Sequence, residues 1–125
     1  MYEETVVWQI RSEQMAILRR ENLRSRLYSH AREAAPKVCA QMTAEHVRAV
    51  VDHCLNRCRH YGITRSYDMM RYLNLMFVFG FAFDAELPWA ANALAFPNPD
   101  GRVDLLMDRA LRQRAAAGGT RGKTA

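Results

Sequence analysis

The stretch YDMMRYLNLMFVFGFAFD, Tyr67 to Asp84, decides the fold. Asp68, Arg71 and Asn74 recur every third residue, which lines them up along one side of a helix and leaves its other directions apolar. From Leu75 to Phe83 nine consecutive residues carry no polar side chain. As helix that run is roughly 14 Å long, against about 20 residues needed to cross a bilayer. The segment therefore reads as a central core helix with one solvent-facing polar strip, and not as a membrane span. Its C-terminal end is expected to be covered by its own domain or by a partner.

On the N-terminal side lies the clearest helical pattern in the chain. Val47, Val50, Val51, Cys54, Leu55, Cys58 and Tyr61 follow i, i+3, i+4, i+7 spacing, with Thr43 as the cap before them and Gly62 as the stop. Thr64 then reads as the cap of the 67–83 helix. Further upstream, Ser12 reads as the cap of an arginine-rich helix running to about Ala35, with Met15, Leu18, Leu23, Leu27 and Ala31 inward. Pro36 breaks that pattern, and residues 36–42 suit a short helical turn. Before Ser12, the alternation of Val6, Trp8 and Ile10 in TVVWQI predicts a strand or extended arm over residues 1–10.

On the C-terminal side, Gly80 loosens the helix and Pro88 suits a helix start, where its missing amide hydrogen is not needed. PNPDG is a turn, followed by a helix from about Arg102 to Ala117 with Val103, Leu106, Met107, Ala110 and Leu111 inward. Residues 118–125, GGTRGKTA, are expected to be a disordered tail. The expectation is an all-α fold: a single compact domain over residues 1–117, about five helices, with a short extended N-terminal arm.

A chain of 125 residues can bury one modest core, and half of its residues are apolar. The opening MYEETVVWQIRSEQ lacks the features of a secretory leader, and three cysteines without framework spacing suit reduced thiols, so the expected compartment is the cytoplasm. The net charge of +5 is uneven: −2 over residues 1–10, +3 over 11–35, zero over 36–101 and +4 over 102–125. Such a balance suits nucleic acid or an acidic protein equally.

The chemistry sought in the sequence is mostly missing. His46, His53 and His60 are seven residues apart, about 10.5 Å along a helix axis, too far to share one ion at Zn–N distances of about 2.0 Å. Cys54 and Cys58 sit inside an apolar stripe, where cysteine acts as a small hydrophobe. There is no phosphate loop, nucleophile elbow or H-E-x-x-H motif, so neither an enzyme nor a metal or cofactor is expected. Asp84 and Glu86 suit an acidic turn capping a helix. VVDHCLNRCRHYGITRSYDMMRYL has the rhythm of a helix-turn-helix, but the continuation of its second helix is apolar nearly all round, so nucleic acid is disfavoured as a partner. What remains is hydrophobic surface. The chain has twelve aromatics and seven Met, of which eight aromatics and three Met fall within residues 67–96, and a small domain struggles to surround Phe79, Phe81 and Phe83 while burying Trp89. These four residues, with Val6, Trp8 and Ile10 of the arm, are the candidate partner-binding positions.

At RSEQM, residues 11–15, and at YGITRSYDMMRYLNLMFVFGFAFDAELPWA, residues 61–90, the chain resembles a family of small bacterial proteins of type VI secretion clusters. These are encoded beside spike (VgrG) and PAAR genes and effector adaptor chaperones. The matching positions include Tyr61, Gly62, Asp68, Arg71, Tyr72, Phe77, Gly80, Asp84 and Pro88; Phe81-Ala82 departs from the pattern, where polar residues are common. The resemblance implies a non-catalytic co-chaperone or adaptor partner that helps a larger adaptor hold an effector for loading. A toxin-binding immunity protein from the same loci, or a helix-turn-helix DNA-binding protein, is the alternative. Self-association is left open by the sequence.

Overall fold

A computed structural model describes the backbone of residues 2–124 and the side chains of residues 11–116. Among the described residues the chain is helical, without a strand, and forms seven helices: α1 (Tyr2–Ala34), α2 (Pro36–Ala40), α3 (Ala44–His60), α4 (Ser66–Phe79), α5 (Phe83–Glu86), α6 (Pro88–Leu94) and α7 (Pro99–Thr124). The all-α expectation holds. The count rises from five because Pro36 sets off α2, and because Gly80 and Pro88 cut the region after α4 into two short helices.

The expected N-terminal arm is instead the start of α1. No strand among the described residues offers a sheet edge to residues 2–10, and an isolated strand would leave its N–H and C=O groups without partners, whereas a helix pairs them internally. Ser12 is accordingly a mid-helix residue and caps nothing. α7 likewise continues to Thr124, through the segment read as a tail; the Ala115–Ala117 run is strongly helix-forming and no proline stops it.

The core is built where the helices overlap. α4 lies at its centre, against α1, α3, α5 and α7, and contributes Met69, Tyr72, Leu73, Leu75 and Met76. α3 supplies Val47, Val50, Val51, Cys54 and Cys58, and α1 supplies Leu27 and Ala31. Met15, Leu18 and Leu111, expected to face inward, are more than half exposed. The reason is length: 33 helical residues extend for roughly 50 Å, and residues 11–22 of α1 outrun the body that covers Leu27.

Two caps decide how α3 meets its neighbours. At its start the Thr43 hydroxyl accepts from the His46 amide at 3.1 Å. At its end the chain makes a Schellman turn: Ile63 N–H donates to Cys58 O at 2.8 Å and Gly62 N–H to Arg59 O at 3.2 Å. Gly62 has φ +69°, a left-handed conformation that a side chain disfavours, and Pro99 closes over it. The Tyr-Gly-Ile-Thr stretch is thus a helix stop, with Ile63 tucked into the core. Thr64 lies outside the cap of α4, which is Arg65, whose side chain makes no capping hydrogen bond to the helix amides.

Candidate partner-binding surface

The polar stripe of α4 does not face solvent. Asp68 is buried, and it accepts from Arg71 at 2.5 Å and pairs with Arg65 at 3.0 Å. Arg71 also reaches Asp104 of α7 at 2.7 Å. One turn on, Asn74 Oδ1 lies 2.8 Å from His30 Nε2 of α1. The stripe is therefore a polar seam binding the central helix to α7 on one side and α1 on the other. Buried charge is tolerable here because each member meets an opposite charge or a hydrogen-bond partner.

A second polar cluster fixes the chain after Gly80. Asp84, only 3% exposed, accepts from Arg57 Nε at 2.6 Å and from the Tyr61 hydroxyl at 3.0 Å, while Arg57 Nη2 donates to Tyr61 Oη at 2.8 Å. Burial alone would push the Asp84 carboxyl up, but the bonds from Arg57 and Tyr61 and the guanidinium charge outweigh it and hold the group below the ordinary carboxylate value. Arg57 is correspondingly raised, first by its bond to Asp84. Burial, then Asp84, raises Tyr61 and the enclosed Tyr72, whose hydroxyl closes no well-formed bond. Asp84 and Glu86 do lie in the first turn of α5, as expected, but neither caps it; Asp84 instead clamps α5 to α3, and Glu86 is exposed. Cys58 is raised by its contact with Cys54 and by burial, which suits a packed thiol and not a nucleophile. Among the described residues, no three His, Cys, Asp or Glu side chains come together in a metal-binding group, and no helix is long and apolar enough to cross a membrane.

With these clamps in place, the aromatic run divides. Phe83 is fully buried against Tyr72, ring centroids 5.1 Å apart, so it is core and cannot reach a partner. Phe79 and Trp89 are half-buried and meet edge-on at 5.0 Å. Phe81 is 40% exposed and stands edge-on to Phe77 at 5.7 Å. Beside Phe77 opens a concavity of about 590 Å³ between α2 and the end of α4, walled by Ala34, Pro36, Val38, Asn74, Phe77 and Val78. Val38 and Val78 are 42% and 55% exposed, and Lys37 is the one charged residue of the lining. Gly80, φ +106°, ends α4 and turns the chain so that Phe81 stays outside while Phe83 goes in.

Of the positions singled out by sequence, Phe77 lines this concavity and Phe81 packs against Phe77, whereas Phe79 and Trp89 pack against each other. Tyr61, Tyr72 and Asp84 converge on the internal clamp; Gly62, Asp68, Arg71, Gly80 and Pro88 set helix ends and seams. The side chains of Val6, Trp8 and Ile10 lie outside the described residues. Val38, Val78 and Arg57 went unnoticed. Val78 lies in a run whose phenylalanines drew the partner-binding reading, and Arg57 flanks a strong apolar stripe without any local sign of its distant partner. No family model, no curated protein and no solved structure matches the chain.

Proposed function

We propose that the protein is a non-catalytic binding module, an accessory partner of the type VI secretion adaptor-chaperone kind, which engages another protein through the apolar surface at the end of α4. The observation that carries this reading is the exposure of Val38, Val78 and Phe81 beside half-buried Phe77, around a concavity with one charge at its edge. Apolar patches that stay open on a small domain are where partners bind. The type VI setting comes from the resemblance at residues 11–15 and 61–90. The polar clusters support it indirectly: their charges are satisfied inside the chain and hold helices together. α4 is enclosed by its neighbours, and its fully exposed positions, Ser66, Tyr67 and Val78, lie at its two ends. It therefore presents no long face to a DNA groove, which disfavours the helix-turn-helix reading.

The test is co-purification from the native cell, read by mass spectrometry, with wild type compared against Val78→Asp and Phe81→Asp. An adaptor chaperone or effector recovered with wild type and lost with both variants supports the proposal. A single toxin recovered in a one-to-one complex would make the protein an immunity factor. Recovery that is indifferent to both substitutions would remove the surface from the account.

A further inference from the structure

We infer that the cleft between α1 and the C-terminal half of α3 is a second docking site, which takes an acidic amphipathic helix of the partner protein. The inference rests on the binding-module reading above and adds to it a contact of different chemistry. The cleft has a volume of about 620 Å³ and opens where α1 leaves the body. Arg19, Arg20, Arg24 and Arg59 stand around it. Arg24 is neutralised by Asp52 at 2.7 Å, but Arg19, Arg20 and Arg59 are exposed and their guanidiniums make no ion pair or hydrogen bond among the described residues. Below them, half-buried Leu23 and Leu55 form an apolar floor backed by Ile63.

Three unspent guanidiniums over an apolar floor define the complement. It must offer carboxylates at its rim and apolar side chains at its centre, which is the surface of an acidic amphipathic helix. A nucleic-acid backbone matches only half of this. It has charge for the arginines but nothing apolar to bury on Leu23 and Leu55.

The experiment titrates the full-length protein into a labelled helical peptide of about 16 residues with Glu on one face and Leu on the other, following fluorescence anisotropy. Wild type is expected to bind, with affinity falling as NaCl rises. Arg19→Glu/Arg20→Glu and Arg59→Gln should each weaken binding roughly tenfold or more. Arg114→Gln, exposed on α7, should leave it unchanged. A scrambled peptide of the same composition should bind at least roughly tenfold more weakly, because it has no apolar face. Equal binding of the scrambled peptide would overturn the inference, since charge alone would then explain it. So would a duplex oligonucleotide that displaces the peptide, or a dimer by light scattering that the Arg19→Glu/Arg20→Glu pair dissociates. Loss of peptide binding in Val78→Asp but not in the arginine variants would refute the cleft while leaving the binding-module reading intact. Conversely, tight cleft-dependent peptide binding beside an unaffected native complex in Val78→Asp and Phe81→Asp would sink the apolar surface and spare the cleft.

Discussion

Replacing Asp84 by Ala removes the acceptor that joins Arg57 and Tyr61 of the α3 end to α5. The carboxylate is 3% exposed and receives two short bonds, one from a cation. Removing one partner of a buried ion pair costs about 3–5 kcal/mol, because the other charge is left uncompensated. Arg57 retains 30% exposure and its bond to Tyr61, so water recovers part of that loss and the expectation sits at the lower end, about 3 kcal/mol. That is a large share of the roughly 5–15 kcal/mol that holds such a domain together. Urea denaturation followed by far-ultraviolet circular dichroism measures it, with Arg57→Ala and the double variant completing the cycle. The double variant should cost less than the sum of the singles, the coupling being about 1.5–3 kcal/mol for a hydrogen bond to a charged group. A loss below about 1 kcal/mol for Asp84→Ala, the range of an exposed pair, would mean that the carboxylate is solvated and that α5 is not clamped.

The pH dependence of stability follows from the same group. Because the native pKa of Asp84 is depressed, its contribution is complete above the ordinary carboxylate value near ~4 and is lost as pH falls through the lower native value; Asp84→Asn should flatten acid denaturation in that window. Phe83→Ala, at a fully buried ring, should cost about 3–5 kcal/mol by urea denaturation, whereas Phe81→Asp should leave the denaturation curve nearly unmoved. Arg71→Ala should lower the melting temperature more than Asp104→Ala, because Arg71 serves both Asp68 and Asp104 while Asp68 keeps Arg65. The three thiols, Cys39, Cys54 and Cys58, should stay unlabelled by an aromatic disulfide reagent in the native protein and react together in denaturant; prompt labelling of Cys58 in the native state would contradict its burial.

Much of this fold was legible because its signals are local. The α3 stripe, Thr43 and Gly62 announce themselves within a few residues, and each is where the periodicity puts it. Pro88 opens α6 for the same reason. The misreadings all depend on distant partners. Asp68, Arg71 and Asn74 form one face from either viewpoint, but only Asp104 and His30, more than thirty residues away, turn that face from a solvent strip into a buried seam. Met15 and Leu18 belong to an amphipathic pattern that continues past the end of the body, so periodicity marks them as inward while nothing among the described residues covers them. The period-two reading of Val6, Trp8 and Ile10 required a sheet edge to pair with, and no strand occurs among the described residues. The candidate surface was half legible: aromatic crowding pointed to Phe81, but the exposure of Val78 and its place with Val38 around one concavity depend on where α1 sets α2 beside α4.

The central claim, that the end of α4 and α2 form a partner-binding surface, is tested most directly by hydrogen exchange on the purified complex with the protein recovered from the native cell. The account predicts added protection on binding at residues 36–39 and 77–82, with residues 103–110 of α7 unchanged. Protection that spares both predicted segments, in a complex that still forms, would contradict it.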